Sequence, residues 1–392
     1  MLRVLTLSSL YPDASRPNFG VFVERQTLGL ATHWDVELQV VAPVGLPPWP
    51  FHAAGHYRAL GKLPPHEAWK GVPTWRPPFT VLPGTAGRFH VPLLVRRLTP
   101  LLNRIRADFP FDVIDASFFF PDGVAAIALG RRFGVPVSIK ARGADIHLWG
   151  NAPATRHQVA AGGRAADGLL CVSQAMKADM IALGMPPERI RVHHTGVDLT
   201  RFAPGDQAAA KAGLGIQGPL VASIGALIPR KGHDIVIDAV ARLPGVSLRI
   251  AGEGPERQRL AAQIVSLGVA DRVKLLGSVA HDELPPLLAA ADVMALASAS
   301  EGLANAWVEA LASGAPLVTS DAGGAREVVT APQAGRVVAR DPAAFAAAIA
   351  ELLAAPPPRA AVRRMAAGFT WEANTAALYD HLRGLVAAHA SA

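Results

Sequence analysis

Residues 300–327 read SEGLANAWVEALASGAPLVTSDAGGARE and contain a loop, a helix, a strand and a glycine turn in close succession. Residues 304–313 are good helix formers, and Gly314 followed by Pro316 is a helix stop signal. The segment APLVTS that follows has the apolar run of a short buried strand. A helix leading directly into a buried strand is the repeating unit of a parallel sheet covered by helices, so this stretch predicts an α/β fold.

Two carboxylates flank the start of this helix. Glu301 lies in the loop before it, and Glu309 lies about two turns inside it, ~12 Å away at helical rise. Carboxyl pairs that hydrolyse a glycosidic bond stand ~5–9.5 Å apart, so this pair is better suited to holding opposite ends of one ligand. The free N–H groups and the dipole of the helix start favour a phosphate between them. The layout predicts a sugar-nucleotide site; the alternative is two solvated glutamates at a helix end.

Strands and helices alternate along the chain in two runs, which predicts two parallel sheets. Helices are predicted over residues 22–31, 124–133 and 175–183, and residues 371–392 form a tail helix that could pack back on the first domain. The Pro-rich residues 43–83 are interpreted as an inserted loop or lid, and the domain boundary is placed at residues 201–207. The strands of the two runs are LRVLTLSSLY, VELQVVAP, DVIDAS, PVSIKARG and GLLCVSQ, then PLVASIGAL, SLRIAGEG, VKLLGSV, DVMALAS, APLVTS and GRVVAR.

Composition restricts the class of protein. A chain of 392 residues with 51% apolar content has enough material for two domain cores. Cys171 is the only cysteine, which excludes an intrachain disulfide and a thiolate zinc site. The N-terminal residues MLRVLTLSSLY are strand-like and too short for a signal peptide. We expect a cytoplasmic protein.

The positive charge lies in the first half. Residues 1–200 hold 21 Lys and Arg against 14 Asp and Glu, whereas the remainder holds 17 of each. Leucines at helical spacing alternate with arginines between residues 88 and 106, which is typical of a basic amphipathic helix on anionic lipid or of an ordinary surface helix with a buried apolar face. Nucleic acid is disfavoured because aromatic residues do not interleave with the basic ones. The arginines are Arg88, Arg96, Arg97, Arg104 and Arg106.

Loops after the predicted strands of the second run contain charged residues and glycines that suit ligand binding. Arg230 and Lys231 follow the strand VASIGAL and suit a diphosphate, although a solvated turn is the alternative. The turn GEGPE, residues 252–256, does not match a G-x-G-x-x-G fingerprint, which disfavours a nicotinamide site. Gly277 could bring backbone close to a flat base. Gly323 and Gly324 permit a left-handed turn.

The ordered set of these motifs resembles the glycosyltransferase family-four enzymes of GT-B architecture, over nearly the whole chain. The motifs are VSQAMKADMIALGMPPERIRVHHTGVDLTRF, IGALIPRKG, AGEGP, LLGSV and the stretch ADVMALASASEGLANAWVEALASGAPLVTSDAGGARE. The resemblance implies an α/β fold of two facing Rossmann-like domains, each a doubly wound parallel sheet, with a cleft between them. It implies an acceptor domain in residues 1–200, joined by the helix 371–392, and a donor domain in residues 205–370. The opening segment LSSLYPDASRPNFGVFVERQ, with PDG and RGADI, is similar to the branch that makes bacterial cell-surface polysaccharide or teichuronic acid.

The resemblance also implies roles for individual residues. Glu309 would hold the donor ribose, Glu301 would contact the donor sugar, and Lys231 with Arg230 would bind the diphosphate. The backbone of Gly302, Leu303 and Ala304 would contact phosphate or sugar. Gly225, Gly277 and, from the first domain, Gly20 would complete the nucleotide site.

Several positions depart from the family pattern. Ala226 follows Gly225 where relatives carry Arg, and Thr195 replaces an Asn. Arg142 stands where many relatives carry His before G-x-D, and Arg cannot act as a base because it stays protonated. Asp145 or His147 could replace that histidine.

In the retaining mechanism usually ascribed to this family, the departing diphosphate takes the acceptor proton, so loss of the histidine is tolerable. The protein then positions the reactants and stabilises the leaving group. No D-x-D sequence occurs, so we expect metal-independent transfer without a cofactor. The resemblance implies that the donor is a nucleoside-diphosphate sugar, with UDP favoured over GDP, and that the acceptor is a glycan or a lipid-linked glycan. The alternatives are a non-hydrolysing sugar-nucleotide epimerase of similar architecture and a non-catalytic membrane-bound partner.

Overall fold

The computed structural model describes residues 1–53, 55 and 57–391. They divide into two compact units, one comprising Met1–Gly196 and the chain from Trp371 onward, the other comprising Val197–Thr370. The change of unit therefore comes a few residues before the predicted boundary. Val197 pairs with Thr370 in an isolated bridge, and the guanidinium of Arg363 donates to the carbonyls of Leu199 and Phe202, which fixes residues 197–202 to unit 2.

Unit 1 contains a largely parallel sheet, as the alternation predicts. Within the described chain it has eight strands in the order β10-β9-β8-β7-β1-β2-β5-β4, and all neighbours pair in parallel except β4 and β5. β3 and β6 form a separate parallel pair. The strands of unit 1 are β1 (Leu2–Leu7), β2 (Val36–Val41), β3 (Val44–Leu46), β4 (His66–Trp69), β5 (Val72–Trp75), β6 (Pro78–Thr80), β7 (Val113–Ala116), β8 (Val137–Ala141), β9 (Gly168–Cys171) and β10 (Ile190–Val192).

The interpretation of residues 43–83 as a loop or lid was wrong. This segment supplies β3 to β6, and β5 extends the main sheet by pairing with β2. β4 and β5 are joined by Lys70 and Gly71, both with positive φ, 49° and 87°. Two consecutive positive φ values are the requirement of a type I′ hairpin turn. The prolines obscured this hairpin, which is anchored by Glu24, whose carboxylate accepts hydrogen bonds from Trp69 and Lys70.

Helices cover the sheet of unit 1, and loops connect them to the strand ends. They are α1 (Val21–Ala31), α2 (Tyr57–Leu60), α3 (His90–Asp108), α4 (Val124–Phe133), α5 (Arg156–Ala165) and α6 (Gln174–Ala182). α3 is the predicted amphipathic helix. Its apolar side chains Leu94, Leu98, Leu102 and Ile105 are buried within unit 1, so they form part of its core and do not face solvent.

Unit 2 has a parallel sheet throughout. Its described residues form six strands in the order β13-β12-β11-β14-β15-β16. The strands are β11 (Leu220–Ile224), β12 (Ser247–Ala251), β13 (Val273–Gly277), β14 (Val293–Leu296), β15 (Leu317–Ser320) and β16 (Gly335–Val338). The helices are α7 (Gln207–Gly213), α8 (His233–Ala241), α9 (Arg257–Ser266), α10 (Leu284–Ala290), α11 (Asn305–Ala312), α12 (Ala325–Val328), α13 (Pro342–Ala354) and α14 (Arg359–Arg364).

The tail forms α15 (Trp371–Ala390), which packs on α1, β7 and β8 of unit 1. Leu378 and Leu382 are fully buried in the core of that unit, and the Tyr379 hydroxyl donates to Asp35 at 2.5 Å. His381 faces β8, where its Nε2 lies 3.2 Å from Ser138 Oγ. In the described part of the chain, no helix is both long enough and apolar enough to cross a membrane.

We predict that His381 contributes an acid-sensitive part of the stability. Burial, with the charges of Arg191 and Lys140, lowers its pKa from 6.5 to about 4. A depressed histidine pKa means that the unfolded chain binds a proton which the folded chain refuses, so the contribution is complete above pH 6.5 and falls between pH 6.5 and 4. Relative to the His381→Gln variant, wild type should lose about 3 kcal/mol of unfolding free energy over that range, measured by guanidinium denaturation.

His389, exposed on the same helix, provides the matched control. His389→Gln should leave the pH dependence of stability as in wild type. A wild-type curve parallel to that of His381→Gln at every pH would contradict the assignment.

Candidate functional site

Two loops at the carboxyl ends of β11 and β14 bring the predicted charged residues together in unit 2. Lys231 Nζ lies 2.5 Å from Glu301 Oε1, and Ser298 Oγ donates to the same oxygen at 2.6 Å. Arg230 Nη1 lies 3.5 Å from Glu301 Oε2 and also donates to the carbonyl of Ser300. The Glu301 residue is 7% exposed, so this partly desolvated carboxylate depends on these donors.

The close approach of the two loops explains this pairing. Pro229–Lys231 forms a 3₁₀ turn that ends at Gly232, with φ 66°. A Cβ on Gly232 would lie 2.1 Å from the Ala297 carbonyl oxygen, so only glycine allows the contact. The backbone N–H of Ala299 donates to the Arg230 carbonyl at 2.7 Å, which fixes the second loop against the first.

The segment from Gly302 to Ala304 leads from this cluster into α11. Leu303 and Ala304 are each 7% exposed, and the Gly302 carbonyl accepts a hydrogen bond from Gly324 N at 2.8 Å. Gly323 has φ 53°, and a Cβ there would lie 2.2 Å from the Glu301 carbonyl. The predicted glycine turn thus supports the backbone that precedes α11. The free backbone N–H groups at the start of α11 point towards any anion bound there.

Glu309 lies inside α11 and has a different partner from Glu301. Its Oε1 is 2.6 Å from His281 Nε2, and the residue is 9% exposed. The His281 ring packs edge-on against Phe202, with ring centroids 5.3 Å apart. The structure therefore separates the two glutamates into one carboxylate held by cations and one held by a histidine that sequence analysis did not single out.

Glycines form the surface between the ends of three neighbouring strands. Gly252 N donates to the Gly277 carbonyl at 2.8 Å, and a Cβ on Gly252 would lie 1.9 Å from the Gly225 carbonyl oxygen. A Cβ on Gly277 would approach Glu253 Oε1 to 2.9 Å. The three strand ends are therefore packed closely together, and the side chains of Lys231 and Glu253 lie against Gly225 and Gly277.

His233 contacts the loop that contains Gly225. Sequence analysis did not single it out either. Its Nδ1 lies 3.0 Å from Ser223 Oγ and its Nε2 lies 3.2 Å from the Gly225 carbonyl. Burial lowers the pKa of His233 to about 4, so it is neutral at neutral pH. A neutral ring with Nε2–H donating to the carbonyl and Nδ1 accepting from the hydroxyl satisfies both contacts.

Asp145, Gly20 and His147 lie in unit 1. Asp145 is fully buried, and its carboxylate accepts backbone hydrogen bonds from Phe119, Arg142 and Gly143. Burial raises its pKa above the ordinary value despite these donors. In the structure this carboxylate holds the loops after β7 and β8 together; its use as a proton acceptor stays a prediction.

Gly20 and His147 differ in their surroundings. Gly20 has φ 69° at the start of α1, and a Cβ there would lie 2.5 Å from the Leu10 carbonyl oxygen, so the backbone requires glycine. His147 lies on a single π-helical turn, Asp145–Trp149, with its Nε2 2.9 Å from Asp179 Oδ2.

Arg142 belongs to a buried polar network that the sequence did not reveal. Its Nε donates to the Ser117 carbonyl at 2.7 Å and its Nη2 to Gln26 Oε1 at 3.2 Å. Lys140 Nζ lies 2.7 Å from the same Gln26 oxygen and 2.7 Å from His193 Nδ1. Burial lowers the pKa of Arg142 to about 10 and that of Lys140 well below its ordinary value. Gln26 therefore links α1 to the end of β8.

Comparison with known proteins identifies both units. Residues 33–201 match the family described as Glycosyltransferase Family 4, and residues 206–368 match Glycosyl transferases group 1. The D-inositol 3-phosphate glycosyltransferases of Mycobacterium tuberculosis and Mycobacterium bovis are 38% identical over 234 residues, or 56% of this chain. The matched region spans 48% of the length of those relatives.

Solved structures share the fold over nearly the whole chain. Sucrose-phosphate synthase from Thermosynechococcus elongatus aligns with a TM-score of 0.84 at 22% identity, covering 99% of this chain and 100% of that one. HepE from Anabaena in complex with UDP aligns with a TM-score of 0.74 at 21% identity, covering 98% and 100%. The predicted fold class is confirmed: the chain has the GT-B fold, with a region that matches Glycosyltransferase Family 4 followed by a region that matches Glycosyl transferases group 1.

Proposed function

We propose that this protein transfers a sugar from a nucleoside-diphosphate sugar to a glycan or lipid-linked acceptor, with retention of configuration, in the synthesis of a cell-surface polysaccharide. The observation that carries the proposal is the Lys231–Glu301 pair, with Arg230 beside it, at the carboxyl ends of parallel strands. Ligands of open parallel sheets bind at those ends. The family of both units supports the same reaction class.

The charged residues suit a diphosphate leaving group. Arg230 and Lys231 carry two positive charges against the single negative charge of Glu301, so the cluster has a net positive charge for a polyanion. Lysine has three donors, which lets Lys231 keep Glu301 while it donates to phosphate oxygens. Negative charge that develops on the leaving oxygen is stabilised by these fixed cations and by the start of α11. Glu301, oriented by Ser298, accepts from a donor-sugar hydroxyl.

The nucleotide binds between Glu309 and the glycine-lined strand ends. Glu309 accepts from the ribose hydroxyls, and the backbone around Gly225 and Gly277 contacts the diphosphate and base. UDP is the favoured nucleotide; the solved structures of HepE with UDP and with UDP-glucose, a protein of the same fold, support trying it first.

The acceptor binds in unit 1, where His147 is the proposed contact and the buried Asp145 positions the loops after β7 and β8. An anionic membrane surface binds electrostatically to α3. Burial of the apolar face of α3 removes insertion of that face into lipid as a mode of attachment. Arg96, Arg97 and Arg104 are exposed on its outer face, which leaves attraction to anionic headgroups.

Lys231→Ala should lower kcat/KM with a UDP-sugar donor by about 100-fold, because a fixed positive charge on the leaving group is lost. Lys274, exposed on β13, is the matched control, and Lys274→Ala should retain wild-type turnover. Full activity of Lys231→Ala in a coupled assay for UDP release would refute the site.

Transfer should continue at the wild-type rate in excess EDTA, because the positive charge at the diphosphate comes from Arg230, Lys231 and the helix start. The measurement is the transfer rate before and after chelation and after addition of Mg²⁺ or Mn²⁺. Incubation of donor without acceptor provides a second arm: an epimerised nucleotide sugar in that sample would favour the isomerase alternative.

The double substitution of Arg96 and Arg97 by Glu should reduce co-sedimentation with phosphatidylglycerol vesicles severalfold, since each basic residue near an anionic surface contributes about 1 kcal/mol. Arg131 and Arg132, exposed at the end of α4, provide a matched charge control. Equal loss for both double variants would indicate a diffuse effect of net charge and count against α3 as the contact.

A further inference from the structure

His281 holds the carboxylate that we propose to bind ribose. Glu309 Oε1 lies 2.6 Å from His281 Nε2. An ionised carboxylate only accepts hydrogen bonds, so the proton of this contact lies on Nε2. Among the described residues no second hydrogen bond to the Glu309 carboxylate is observed, which leaves Oε2 for a ligand.

The surroundings of His281 hold the imidazole in place. The ring packs edge-on against the fully buried Phe202. The backbone carbonyl of His281 lies 3.5 Å from Arg201 Nη2. Arg363 Nη1 donates both to the Phe202 carbonyl at 2.8 Å and to the Ala312 carbonyl at the end of α11 at 2.9 Å. One guanidinium therefore connects the aromatic support of His281 with the helix that carries Glu309.

This arrangement has a consequence for a diol ligand. A glutamate side chain has several rotatable bonds, and fixing them on binding costs conformational entropy. With Oε1 already hydrogen-bonded to a ring that packs on Phe202, the carboxylate plane is restricted before the ligand arrives. Oε2 then accepts from a ribose hydroxyl without that cost.

We propose that His281 is a positioning residue for nucleotide recognition: by donating Nε2–H to Oε1 of Glu309 it presents Oε2 to the ribose hydroxyls, and it thereby sets the preference for ribonucleotides over 2′-deoxyribonucleotides. The inference rests on the proposed function, in which Glu309 binds the donor ribose. No step of the transfer reaction passes through His281 itself.

The test is calorimetric titration of the full-length protein with nucleoside diphosphates. UDP, GDP and ADP are titrated first, and the tightest of them is compared with its 2′-deoxy form. Wild type should bind the ribonucleotide about tenfold more tightly than its 2′-deoxy form, which corresponds to the loss of one hydrogen bond to a charged group. His281→Phe keeps a ring against Phe202 but removes the donor; it should weaken the ribonucleotide severalfold and bring the ratio of the two dissociation constants close to one.

Further variants keep the outcome interpretable. His281→Gln retains an N–H donor and should restore most of the selectivity, which a loss of packing would not do. His281→Leu, which also removes the donor, replaces His281→Phe if that variant does not fold. Glu283→Gln, exposed on the same 3₁₀ turn, should match wild type. In steady-state assays His281→Phe should raise KM for the donor and leave kcat unchanged.

Distinct results overturn the inference and the proposed function. If Glu309→Gln changes neither affinity nor the ribose to deoxyribose ratio, the assignment of Glu309 to ribose fails. If Glu309→Gln abolishes the selectivity but His281→Phe weakens both nucleotides equally, or neither, then Glu309 binds ribose without the help of His281 and the inference is wrong.

Discussion

The ion pair between Lys231 and Glu301 connects the loops that follow two adjacent strands of unit 2, β11 and β14. Because Glu301 is largely buried, its charge has to be matched by donors at fixed positions, and Lys231, Arg230 and Ser298 supply them. Breaking a pair of this kind by removing one partner leaves a desolvated charge, which costs about 3–5 kcal/mol. The same atoms that keep the loops together are those that would face a diphosphate, so stability of the loops and recognition of the ligand are linked.

Much of unit 2 could be predicted from the sequence because its signals are local. Short apolar runs bounded by glycine gave the strands, and the helix containing Glu309 was predicted to within one residue at each end of Asn305–Ala312. The glycine turn at Gly323 also lies where the pattern indicated, beside the backbone of Glu301. Because the carboxyl ends of parallel strands lie at the same edge of the sheet, the loops that carry Arg230, Lys231 and Glu301 are predicted to lie near each other.

Features that depend on contacts between distant segments could not be predicted in this way. His281 lies 28 positions before Glu309, and nothing in the sequence AHDEL indicates that its ring meets that carboxylate. The hairpin of β4 and β5 was not predicted because its many neighbouring prolines disfavour strands. The turn at Lys70 and Gly71 nevertheless has the positive φ angles that a hairpin requires. The three backbone amides that surround the Asp145 carboxylate could not be predicted either. The amphipathic pattern of α3 left two interpretations open, and burial of its leucines supports a surface helix whose apolar face belongs to the core.

The two arginines of α14 have a consequence for electrostatics at the opposite end of α11. Arg359 donates to the Ser313 carbonyl at 2.7 Å and Arg363 to the Ala312 carbonyl at 2.9 Å, where the last turn of α11 carries partial negative charge. Cations at that position compensate the negative pole of the helix. The positive pole, next to Gly302 and Leu303, then acts on its surroundings with less opposition from the far end. A pair of structural side chains, remote from Glu301, thereby strengthens the field that an anion experiences at the start of the helix.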